Sequence, residues 1–157
     1  MRSSTPPTAL CLAAAEFPGL STGLAVRACW KECRALRRTT YPQGLRVGEA
    51  VATGAGNLPA RWLIHAVGPN RHAGQTDPAL LASCFKTSIR EAVNVGARSV
   101  AFPAISSGVF GWDIAEVARI AVAELRGSPH LGELELVRFV PFSRAIHEAF
   151  IAALGQD

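Results

Sequence analysis

Residues 101–122 read AFPAISSGVFGWDIAEVARIAV, and no other stretch restricts the fold as much. The segment RSVAFPAI is short and almost continuously apolar, the pattern of a strand covered on both faces. From about Ile114 to Arg126 the apolar residues Ile114, Val117, Ala118, Ala121 and Leu125 recur at helical spacing. A buried strand that hands over to an amphipathic helix is half of a strand-helix-strand unit, which calls for an α/β sheet with helices packed on it. The loop between them, Ile105 to Trp112, carries two glycines and little side-chain bulk. Ser106, Ser107, Gly108 and Val109 offer consecutive amides, and Gly108 and Gly111 permit the positive φ angles that turn amides toward one point. Such a nest takes an anion, phosphate being the usual guest. Asp113 with Glu116 three residues on reads as a capping box, whose carboxylates would repel an anion at the helix end, so the expected place for phosphate is the loop itself.

The rest of the chain repeats the alternation. ALCLAAA reads as a buried strand and FPGLSTGL, Phe17 to Leu24, as a second glycine-bearing loop. In LAVRACWKECRAL the residues Leu24, Cys29, Cys33 and Leu36 mostly keep helical spacing, with Ser21 or Thr22 as cap. That helix has no carboxylate in its first turn and presents a free positive end, so two nests could converge on a diphosphate. VGEAVAT and RWLIHAV read as strands joined by the loop GAGNLPA, and GPNRHAGQT leads into the best-signalled helix. Asp77 caps it, Pro78 occupies its first turn, Leu81, Cys84, Phe85, Ile89 and Ala92 form its stripe, and Gly96 ends it. ELELVRFVPF is the last strand, and Ser143 caps a final helix through Leu154 with Gly155 behind it.

Several function classes fall away on composition. The formal charge of +4 suits a small anionic ligand but does not argue for nucleic acid, and Arg34, Arg37 and Arg38 read as a solvated basic face. No apolar run approaches the roughly 20 residues of a membrane helix, so no membrane partner is expected. Four scattered cysteines make neither a disulfide scaffold nor a CxxC pair. Cys29 and Cys33 at i,i+4 lack further ligands at metal spacing, so no metal or cofactor is expected. Ala9 to Ala15, behind Pro6 and Pro7, is at the minimum length for a signal-peptide core. The expected organisation is a disordered lead over 1–8 and one domain over 9–155, in the cytoplasm. GAGNLP opens like a dinucleotide fingerprint, but Pro59 stands where the third glycine belongs and a strand follows.

VGEAVATGAGNLPARWLIHAVGP, LLASCFKTSI and VAFPAISSGVFGW together resemble the macrodomain family, in particular its branch of O-acetyl-ADP-ribose deacetylases and mono-ADP-ribosyl hydrolases. The resemblance runs from about Gly23 to Leu154. It implies a three-layer α/β/α sandwich around a mixed sheet and, as ligand, ADP-ribose, a derivative of it, or an ADP-ribosylated protein. By that resemblance Ser106 to Gly111 would hold the diphosphate together with the first loop (Gly19, Ser21, Thr22, Gly23, Leu24). Phe110 would pack on the distal ribose. Phe142 would stack on adenine, the alternative being a strand-end core residue.

The front of the chain departs from the family pattern, because the usual first strand and its glycine-aspartate-isoleucine turn have no counterpart. Against the family's two asparagine positions stand Leu12 and Ala15, and Thr22 stands at its aspartate. Ala15 has no polar atom and a threonine hydroxyl is a very poor base at neutral pH, so the resemblance implies binding with impaired or absent hydrolysis. An active hydrolase built on other groups and an interaction domain without nucleotide are the competing readings. Glu16 reads as a solvated loop acid, His65 as a satisfied core histidine, and His72, His130 and His147 have no nucleophile suggested beside them.

Overall fold

The computed structural model describes residues 9–13 and 29–156. The expected lead over 1–8, the loop Phe17 to Leu24 with all its candidate residues, and Ala15 and Glu16 lie outside the described residues.

The short apolar runs become five strands: β1 Ala9–Ala13, β2 Ala50–Gly54, β3 Trp62–Ala66, β4 Ser99–Phe102 and β5 Leu136–Phe139. Among the described residues four α-helices accompany them: α1 Cys29–Thr39, α2 Pro78–Asn94, α3 Ile114–Arg126 and α4 Arg144–Leu154. The strands form one sheet in the order β2-β3-β1-β4-β5. Only β2 runs antiparallel to its neighbour, and β1, β3, β4 and β5 are parallel. The mixed sheet is therefore observed, and ALCLA occupies its centre, paired through Cys11↔Ile64 on one side and Ala9↔Val100 on the other.

Alternation along the strands divides the layers. Ile64, Ala66, Val100 and Phe102 are buried in one core with Leu81, Phe85 and Ile89 of α2, Val117 and Ala121 of α3, and Ile146 and Phe150 of α4. An aromatic run crosses this face, Phe85 to Phe102 to Phe139 to Phe150, with ring centroids 5.8, 6.1 and 4.6 Å apart. Each such pair adds about 0.5–1.5 kcal/mol beyond its buried area. The opposite face of β2 and β3 meets α1: the Glu32 carboxylate accepts from the Gly54 amide at 2.9 Å, and Cys33 Sγ lies 3.6 Å from His65 Nε2.

Three helix starts follow the sequence. Asp77 accepts from the Ala79 amide at 2.9 Å with Pro78 behind it, Asp113 from the Glu116 amide at 3.0 Å, and Ser143 from the Ile146 amide at 3.3 Å. A cap of this kind contributes about 1 kcal/mol. Two strands are shorter than their apolar runs. In VGEAVAT the regular ladder begins at Ala50; before it the Gly48 amide still donates to Val67 O at 2.9 Å, while the Gly48 carbonyl turns to α2 and accepts from the hydroxyls of Ser83 and Thr87, both at 2.9 Å. RSVAFPAI stops pairing at Phe102 because Pro103 brings no N–H to a ladder.

Candidate functional site

In a parallel sheet, ligand sites open beyond the carboxyl ends of the strands. Three described loops meet at that end: 67–70 after β3, 103–113 after β4 and 140–143 after β5.

The β4 loop is held open by its own internal bonds. The Ser107 amide donates to Ala104 O and the Gly111 amide to Gly108 O, each at 3.2 Å, and the Trp112 amide donates to Ser106 O at 3.2 Å. The Ser107 hydroxyl adds a bond to the same Ala104 carbonyl at 2.8 Å. What this closure leaves over is an uninterrupted run: the amides of Gly108, Val109 and Phe110, and that of Ser106, meet no acceptor among the described residues. Gly108 and Val109 are solvent-exposed, Phe110 is half-buried and Ser106 is buried. The free run is thus Gly108 to Phe110 with Ser106 apart from it, and Ser107 contributes structure. The backbone angles also differ from expectation. Gly111 has φ +73° as foreseen, but the second left-handed residue is Ser106, φ +65°, and Gly108 takes a negative angle. A non-glycine residue held at positive φ costs about 1–3 kcal/mol and persists where its surroundings fix it.

Those surroundings are the β3 loop. Gly68 lies against Ser106 so closely that a Cβ at position 68 would overlap the Ser106 hydroxyl oxygen and press on Ile105. That hydroxyl is fully buried and has no partner among the described residues. The indole N–H of Trp112, which is 3% exposed, donates to Pro69 O at 3.0 Å, and the Arg71 amide donates to Phe110 O at 2.9 Å. Arg71 also lies over the Trp112 ring, 4.8 Å from its centroid, and reaches Glu116 at 3.2 Å. Glu116 therefore pairs with Arg71 instead of closing the capping box back on Asp113, and its charge is offset beside the loop. His72 packs beneath Gly111, where any side chain would meet its ring.

Among the aromatic candidates, Phe110 is half-buried against the core edge and Phe142 is 70% exposed beyond the end of β5, so Phe142 is not a strand-end core residue. His65 is a satisfied histidine: Thr53 Oγ1 is 2.9 Å from its Nε2, and burial lowers its pKa below the usual value against a smaller opposing pull from Glu32. His72 packs against Gly111, and His130 pairs with Glu133 at 2.8 Å. Among the described residues no cluster of three or more His, Cys, Asp or Glu could hold a metal, and no helix is long and apolar enough to cross a membrane.

The bracing residues Gly68, Pro69, Arg71 and Trp112 were not singled out in the sequence as parts of the site. The available signal was Gly-Pro placed directly behind a buried strand, a pair that fixes a turn where the β3 loop approaches its neighbour.

A family model described as Macro domain matches residues 22–121. A Macro domain-containing protein of Streptomyces nogalater is 49% identical over 124 residues, covering 79% of this chain and 67% of that protein. One of Streptomyces coelicolor is 48% identical over 124 residues, covering 79% and 72%. Among solved structures, an Oceanobacillus iheyensis macrodomain with ADP superposes with a TM-score of 0.84 at 27% identity, covering 94% of this chain and 83% of that one. A Trypanosoma brucei macrodomain in complex with ADP-ribose gives 0.80 at 26% identity, covering 96% and 64%.

Proposed function

The chain belongs to the Macro domain family, and from that premise we propose that it binds ADP-ribose, or a conjugate carrying it, with its pyrophosphate on the amides of Gly108, Val109 and Phe110. The observation that carries this reading is that run of N–H groups without an acceptor among the described residues, held at the carboxyl end of β4 beside the buried hydroxyl of Ser106, which likewise has no partner among them. A run of backbone donors suits an anion of high charge density, and donors held by the fold cost little reorganisation when it arrives. The ADP-ribose and ADP complexes of the Trypanosoma and Oceanobacillus macrodomains support the assignment of ligand. Phe110, packed on the core edge, is suited to the distal ribose, and the open ring of Phe142 offers an aromatic face to adenine.

Hydrolysis is impaired or absent in this reading. By the family resemblance Ala15 and Thr22 stand where hydrolytic relatives carry an asparagine and an aspartate, and general-base assistance typically contributes 10²- to 10⁴-fold. Titration calorimetry with ADP-ribose tests the binding, with saturable heat expected and none at millimolar ligand overturning it. Incubation with O-acetyl-ADP-ribose and with mono-ADP-ribosylated protein tests the second half. Turnover comparable to that of a relative with both polar residues would make the chain an active hydrolase.

A further inference from the structure

On the other face of the sheet, α1 stands over β2 and β3 with a cavity of about 350 Å³ beneath it, which shares no residue with the β4 loop. Its volume falls within the roughly 300–1,000 Å³ of small-molecule pockets. The walls are mainly apolar, from Leu36, Leu45, Val51 and Val67, while Arg37, Tyr41 and His65 bring polar atoms to it. No aspartate or glutamate lines it, and the nearby acid Glu32 is engaged with the Gly54 amide at 2.9 Å. The guanidinium of Arg37 lies across Gly44 and makes no ion pair or hydrogen bond among the described residues. His65 does not add a second positive charge, since burial favours its neutral form.

We propose that this cavity is a second ligand site, taking a small monocarboxylate with a flat apolar body, its carboxylate on Arg37 and its body against Leu45, Val51 and Val67. The planar guanidinium fork matches a carboxylate with two parallel bonds. One cation beside mainly apolar walls balances one negative charge and leaves those walls for an apolar body, which a phosphate does not have. The hydroxyl of Tyr41, on the same wall, supplies a second donor.

The test is an amide-resolved NMR titration of the full chain with benzoate and, as its uncharged counterpart, benzyl alcohol. Benzoate is expected to shift the amides of Tyr41, Gly44, Val51 and Val67 saturably, with benzyl alcohol at least about tenfold weaker. Arg37→Gln, a change on an exposed helix face, is expected to bring benzoate down to the level of the alcohol. Val51→Phe, which fills the cavity while keeping a strand-favouring residue, should abolish both. The proposal is overturned if benzoate and benzyl alcohol bind equally, if benzoate affinity survives Arg37→Gln, or if the shifts fall on Gly108 to Phe110 instead. Absence of any saturable shift at millimolar benzoate in a folded wild-type chain also overturns it.

Discussion

Two regions of the molecule are built in opposite ways, the β4 loop and the cavity beneath α1. At the β4 loop the donors belong to the backbone, and side chains serve only to hold the turn: Trp112 and Arg71 tie it to the β3 loop, and Gly68 and Gly111 let other groups come close. Beneath α1 the charge is a single flexible side chain, Arg37, on walls of aliphatic carbon. A site made of amides tolerates changes in what its residues are and fails when the path of the chain shifts. A site made of side chains fails residue by residue while the fold stays intact. Substitutions that separate these two modes of failure give the comparison its test.

The largest effect is expected from Trp112→Ala, which removes a buried indole and its bond to Pro69. Losses of this kind run to about 3–5 kcal/mol, and thermal or denaturant unfolding measures it. ADP-ribose affinity should fall with it, since the brace of the loop is gone. Next comes Gly68→Val, whose side chain must displace Ser106 and Ile105. A destabilisation of about 1–3 kcal/mol and loss of calorimetric ADP-ribose binding are expected, and unchanged binding would separate the β3 loop from the site. Gly108→Glu sharpens the contrast from the other side. No heavy atom outside its chain neighbours stands within 4 Å of a Cβ built there and its φ is not positive, so the melting temperature should hold. The added carboxylate nevertheless sits on the donor run, and ADP-ribose affinity should vanish. Retained affinity would break the amide assignment. Arg71→Ala removes a half-exposed pair with Glu116 and a contact with Trp112, which together give about 0.5–1.5 kcal/mol in unfolding and a few-fold weaker ligand binding.

The smallest effect concerns the α1 side. Burial lowers the pKa of His65 in the folded protein, so below its ordinary value of 6.5 the unfolded chain binds the extra proton first. The stabilisation from the neutral ring is fully present above pH 6.5 and is lost as pH falls from there through the folded value. Melting curves from pH 7.5 down to 5.5 should therefore show a decline that His65→Gln flattens. An equal decline in that variant would assign it to other groups.

Much of the scaffold could be read from the chain alone. Asp77, Asp113 and Ser143 mark helix starts because their side chains bond amides two or three residues on, an interaction that involves no distant partner. The stripes of α2 and α3 and the burial of the apolar β4 followed from burial period alone. Strand ends were less legible. VGEAVAT gives no warning that the hydroxyls of Ser83 and Thr87, more than 30 residues on, take the Gly48 carbonyl. The site was legible as a glycine-bearing loop but not in its detail. The expectation of positive φ went to Gly108 on residue type, whereas Ser106 adopts it because the buried contact with Gly68 holds it there.

The sequence by itself determined the alternation of strands and helices, their capped starts and a loop of small residues behind β4, because each depends on groups within about four positions of one another. Tertiary structure alone decided which amides remain unbonded, which arginine offsets Glu116 and where a cavity opens beneath α1. Those outcomes follow from parallel pairing that sets β1 between β3 and β4. It brings residues some forty positions apart into contact, and no local periodicity records such distances.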